Sequence, residues 1–248
     1  MPRTRVFFYR EPKGEVPVLR WLSELRKTNQ QAYETCVAAI ERLAAFGHEL
    51  RRPLADFLDD GVHELRIRKG RVNYRILYFF HGRCLAILGH AITKEDAVRR
   101  IEIERCIRRK RAFESDPRRA HVFGRGWRIV MARTKEALKI LEGVTGESPA
   151  VRQGIANARL NLEVAQMIYD ARTKAGLSQR ELAELIGSKQ SAIARLEDAD
   201  YDGHSLSMLQ RIGDALGRRL KLRFVRANRR GPRPARSVSV SRRLLRRA

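Results

Sequence analysis

The chain has 248 residues, more than one average domain, so two compact units are expected. Its 43% hydrophobic content can build cores, yet no apolar run approaches the ~18 residues of a membrane span, and Cys36, Cys84 and Cys106, an odd number with no CxxC pair, argue against a disulfide framework or a cysteine-based zinc site. The formal charge of +24, with nine arginines and no acid between residues 226 and 248, points to a polyanion partner, nucleic acid first.

The first residues, Met1-Pro-Arg-Thr-Arg-Val6, lack the apolar stretch of a secretory signal, which predicts a cytoplasmic chain. Residues 3–9 can supply a strand. Pro17 in a first turn, with Val18, Leu19, Leu22 and Leu25 at helical spacing, predicts a helix ending near Lys27. Asn29 can cap a second helix, in which Tyr33, Cys36, Val37, Ile40, Leu43 and Ala44 form one apolar stripe and Gly47 stops the run. The period then changes to two. Residues 62–68, 72–80 and 83–90, separated by Lys69-Gly70-Arg71 and His81-Gly82, read as an antiparallel meander. The middle strand is apolar on both parities, so it is central. A basic helix follows from residue 95 to about residue 113.

Residues 114–130, with Pro117, Gly124 and Gly126, read as a linker in which Trp127 can dock. Helical periodicity then takes over. Ser148-Pro149 begins a helix with a seam of Val151, Ile155, Ala158, Leu162, Ala165 and Tyr169. Ser178-Gln-Arg-Glu181 is a capping box leading into a short helix broken by Gly187, and a second short helix from Ser188 runs through Ile193 to Leu196. Ser205 caps a further helix ended by Gly217, after which Leu220, Leu222 and Phe224 alternate as a short strand. The tail, 226–248, has no core-forming period and is expected to be disordered.

Residues 177–197, with Gln179 and Ala183 on the first short helix, Gly187 at the turn, and Gln190, Ser191, Ile193 and Glu197 on the second, resemble the lambda-repressor-like (XRE) helix-turn-helix family. Over residues 131–225 the likeness extends to HigA-type antitoxins. The N-terminal half resembles the RelE/ParE superfamily, and its HigB-type toxins in particular. That likeness rests on the element order and on Glu64-Leu-Arg66, Asn73-Tyr-Arg-Ile-Leu-Tyr78 and Ile87-Leu-Gly-His-Ala-Ile-Thr-Lys94. Ala91-Ile92 and Glu95 depart from that family's pattern, and Asp96 adds a second acid.

The resemblances imply an α+β RelE-like domain followed by an all-α helix-turn-helix domain, divided as 1–113, linker 114–130, 131–225 and tail 226–248. They also imply a toxin and its antitoxin on one chain. The first half would be a ribosome-dependent mRNA endonuclease, neutralised in cis or between chains by the second, which would bind operator DNA as a homodimer and repress transcription. Two other readings stand beside this one: a repressor whose toxin half is inactive, to which Glu95 and Asp96 point, and a ParE-like gyrase inhibitor.

Attack of a ribose 2′-hydroxyl on the adjacent phosphodiester needs a proton acceptor, cations for the developing charge and a proton donor to the leaving oxygen. It needs no metal and no cofactor. Arg66, Arg75 and Lys94 are the candidate cations, His90 and Tyr74 the candidate proton carriers, and Arg68, Lys69 and Arg71 the RNA contacts. Arg75, in a central strand, fits a structural ion pair equally well. Tyr74 fits a core aromatic, and His90 a satisfied structural imidazole. In the second half Lys189, Gln190 and Ser191 lie where a recognition helix meets base edges, Gln190 suiting adenine, while Lys189, Arg195 and Ser178 or Gln179 suit phosphates.

Overall fold

A computed structural model describes residues 4–94, 98–117, 136–145, 148–198, 201 and 203–221. The N-terminal half is α+β, with strands β1 (Arg5–Phe8), β2 (Ala55–Asp59), β3 (Val62–Lys69), β4 (Val72–His81) and β5 (Leu85–Lys94) and helices α1 (Pro17–Thr28), α2 (Gln30–Phe46) and α3 (Arg100–Ser115). The C-terminal half is helical: α4 (Ala137–Thr145), α5 (Pro149–Lys174), α6 (Gln179–Leu185), α7 (Gln190–Leu196) and α8 (Leu206–Ala215). No described helix is long and apolar enough to cross a membrane.

The sheet order is β1-β5-β4-β3-β2, so β4 is central, as its two apolar parities require. Two features go beyond a three-stranded meander. Strand β1 joins β5 in parallel, Arg5 opposite Leu85 through Phe8 opposite Leu88, which makes the sheet mixed. Strand β2 adds an antiparallel edge that hydrophobic patterning misses, because two of its five residues are aspartates. A turn through Asp60 and Gly61, at φ 46° and 71°, joins it to β3.

Helices α1 and α2 cover one face of the sheet over Phe8, Leu65, Ile67, Tyr74, Ile76 and Leu88. Helix α3 covers part of the other over Phe7, Val62, Leu77, Phe79 and Ile87. The caps are those read from the sequence. Asn29 Oδ1 accepts from Ala32 N at 3.0 Å, and Ser148, Ser178 and Ser205 each cap a helix, Ser178 completing a box with Glu181. Helix α7 begins at Gln190 rather than at Ser188, with Lys189 as its N-cap.

Helix α5, 26 residues and about 39 Å long, belongs to two cores. Val151, Ile155, Ala158 and Leu162 pack into the core that α2 shares with the sheet, whereas Ile168 packs with Leu182, Ala183, Ile193, Leu196 and Ile212. The predicted seam is therefore what joins the two halves. Gly154 permits the close approach to α2, since a Cβ there would overlap the buried Glu34 carboxylate. From α5, Arg159 Nε reaches Glu41 at 2.9 Å and Asp170 meets Arg51 at 3.1 Å, and Arg5 of β1 reaches Glu136, just before α4, at 2.6 Å. Trp127, Glu95 and Asp96, the expected linker from residue 118 on, and the expected strand and tail from residue 222 on lie outside the described residues.

Candidate nucleic-acid interfaces

Strand pairing assembles a charged face on the sheet. In β3 and β4, Arg66 lies opposite Arg75 and Glu64 opposite Leu77; across the next pair of strands His90 lies opposite Leu77. Arg66 is partly exposed, with Nη1 3.3 Å from Asp56 and 3.7 Å from Glu64, and Asp56 also accepts from Arg52 Nε at 2.8 Å. Arg75 is buried. Its Nε stands 3.1 Å from Glu64 Oε2 without the alignment of a hydrogen bond, and its Nη1 donates to Ile67 O at 3.3 Å. Burial holds the Glu64 carboxyl above its ordinary pKa despite the arginines beside it. Arg68, more exposed, donates from Nε to Gly70 O at 3.0 Å and places Nη1 3.4 Å from Asp198.

The remaining candidates divide. His90 is held at both ring nitrogens: Arg109 donates to Nδ1 at 3.0 Å, so the proton sits on Nε2, 2.6 Å from Glu102. Burial lowers the His90 pKa, and a ring so engaged has no free nitrogen to carry a proton. Tyr74 is on the opposite face, buried against Trp21 and near Asn29, which donates to its hydroxyl at 3.4 Å. Its proton-carrier role is corrected here: the core surrounds it. Lys69 pairs with Val72 in the ladder, and Arg71 lies at the exposed turn. Lys94 pairs with Asn73 at the end of β5, and its side chain is outside the described residues.

In the helical half Arg172 and Glu197 form a buried bidentate pair at 2.6 and 2.9 Å. Gln179 donates to Glu197 at 2.8 Å and accepts from Gln190 at 2.8 Å, so it braces Gln190 instead of lying free for phosphate. Ser178 is engaged as a cap. Lys189, Gln190, Ser191 and Arg195 are exposed.

The two surfaces meet. A cleft of about 480 Å³ has Arg52, Arg66, Arg68 and Arg75 on one wall and Tyr169, Arg172, Glu197 and Asp198 on the other. Its lining holds five arginines against two acids, a setting for anions. Patterning singled out Arg66, Arg68 and Arg75 but missed Arg52, Glu64 as a carboxylate, and Arg172, Glu197 and Asp198 as a cover. Glu64 stood inside a quoted motif; the cover needs three-dimensional placement, since Arg68 and Asp198 are 130 residues apart.

Residues 21–111 match the family model described as Phage derived protein Gp49-like (DUF891), and residues 168–222 match the Helix-turn-helix model. No curated protein matches the chain at a significant level.

Proposed function

We propose that this chain, similar to Gp49-like proteins in one half and to helix-turn-helix proteins in the other, is a toxin fused to its antitoxin. The α+β half is an endoribonuclease acting on mRNA at the ribosome, and the helical half covers it and binds operator DNA to repress transcription. The observation that carries this reading is the cleft, in which Asp198 pairs with Arg68 and the Arg172–Glu197 pair faces Arg66 and Arg75. An RNA backbone entering there would meet carboxylates already paired with or facing its cations. The helical half neutralises by occupying the phosphate position.

In the freed site, the 2′-hydroxyl oxygen attacks phosphorus and the bond to the 5′-oxygen breaks, leaving a cyclic phosphate and a 5′-hydroxyl. Glu64, whose carboxyl is held above its ordinary pKa by burial, is the carboxylate beside Arg66 and Arg75 that takes the 2′-hydroxyl proton. Arg66 and Arg68 stabilise the charge that develops on phosphorus. Arg75, buried, positions Glu64. Lys94, at the open end of the same sheet, is the candidate donor to the leaving oxygen.

In the second half Gln190, braced by Gln179, reads a base while Lys189 and Arg195 reach phosphates. A half-site motif of this kind calls for a homodimer on an inverted repeat. Gln190→Ala should lower affinity for the sequence upstream of the gene by about 1–3 kcal/mol and relax preference at one base position. Footprinting and competition with random duplex measure this, and an equal loss on both duplexes would remove the base-reading role.

A second reading, a repressor whose α+β half is inactive, is favoured by the burial of Arg75 against Glu64. Sequencing mRNA ends after expression of residues 1–117 separates the two. New 5′ ends within ribosome-bound messages support the nuclease, and their absence from a folded fragment supports the repressor alone.

A further inference from the structure

We propose that the two-residue turn at the tip of β3 and β4 forms part of the DNA-binding surface, so that Arg71 of the α+β half contacts a phosphate of the duplex read by α7. This rests on the helix-turn-helix half binding duplex DNA, as set out under Proposed function.

Lys69 opposite Val72 leaves Gly70 and Arg71 as the whole turn, closed by the positive φ of Gly70, 62°. Both turn residues are exposed, and one side of the turn faces the helical half. Arg68 and Gly70 share a groove of about 440 Å³ with Gln190, Ser191 and Arg195 of α7 and with Tyr201. The arrangement is fixed by the cores. Helix α5 is continuous, its first half packed with the α+β core and its second with the helix-turn-helix core, so α7 cannot be presented to DNA without the turn beside it.

A recognition helix lying in a major groove about 12 Å wide is bounded on each side by phosphates. An element standing beside the exposed side of that helix lies along the backbone's path. The charges suit that position. Among the described residues Arg71, Lys189 and Arg195 have no side-chain hydrogen bond or ion pair, and all three are exposed. The nearby acid, Asp198, is matched by Arg68 at 3.4 Å. Arg195 borders the groove itself, and Arg71 and Lys189 are the chain neighbours of Gly70 and Gln190, which do, so these unpartnered cations come from both halves.

The test uses the full chain and two labelled duplexes of equal length, one from the sequence upstream of the gene and one scrambled, with affinity followed over a range of salt. Arg71→Ala should make the log–log salt slope shallower by about 0.9 on both duplexes, the value of one phosphate contact. The preference for the upstream duplex should stay intact, and Arg71→Lys should restore the slope. An unchanged slope would place the turn outside the interface, and tighter binding by Arg71→Ala would show that the turn obstructs DNA; either overturns the proposal. Loss of preference in Gln190→Ala would uphold the helix-turn-helix reading even then. A full chain that binds neither duplex would overturn both.

Discussion

Arg66→Ala in the α+β half, once that half is freed of its cover, should slow RNA cleavage on the order of 100-fold or more, the usual cost of removing one group that stabilises transition-state charge. The size follows from placement. Arg66 is a partly exposed cation on the charged face, bordering the cleft and already drawn toward Asp56 and Glu64. Removal of Asp56, which only orients it, should cost less. Arg75→Ala differs in kind, because it leaves the buried Glu64 with only the longer Arg66 contact of 3.7 Å and should lower stability as well as rate. Single-turnover cleavage of a labelled message on ribosomes, read beside a melting curve for each variant, checks this. A rate in Arg66→Ala equal to that of the unsubstituted fragment would remove Arg66 from the chemistry.

Glu197→Ala is expected to destabilise the helix-turn-helix half by about 3–5 kcal/mol, the penalty of stranding one member of a buried pair. Arg172 would lose two bonds of 2.6 and 2.9 Å while staying buried, and Gln179 would lose the contact that steadies Gln190. Replacing both Arg172 and Glu197 by leucine removes the stranded charge and should cost much less. Denaturation of the full chain, followed by helical signal and by DNA binding together, measures both. A loss under about 1 kcal/mol in the single variant would show a pair worth no more than a surface one.

The sequence makes the helices legible through their punctuation. Asn29, Ser148, Ser178, Ser205, Gly47 and Gly217 mark ends that side-chain caps and positive-φ glycines then realise. Edge strand β2 escapes because Asp56 and Asp59 break its apolar alternation, although Asp60-Gly61 before Val62 is a hairpin signal in its own right. In the site, register explains the outcome. Arg66 and Arg75 are opposite each other and share a face, whereas Tyr74, one residue from Arg75, falls on the other face because successive strand side chains alternate. His90 was visible as a titratable residue, but Glu102 and Arg109, which hold its ring, come from a helix ten and more residues later. Nothing local in the sequence says that the seam of α5 packs on α2; that contact depends on which apolar stripe is left uncovered once the sheet has formed.

The most direct test of covering in cis is growth of bacteria induced to express the full chain, residues 1–117, and residues 1–117 with Arg66→Ala, each with a tagged, separately encoded segment from residue 131 to residue 248 available for capture. The account predicts no arrest by the full chain, and arrest with cut ribosome-bound mRNA by residues 1–117. That arrest should be relieved when the second segment is co-expressed and absent with Arg66→Ala. Harmless expression of residues 1–117 that are still captured by the second segment, and so are folded, would contradict it, as would arrest by the full chain equal to that of the fragment.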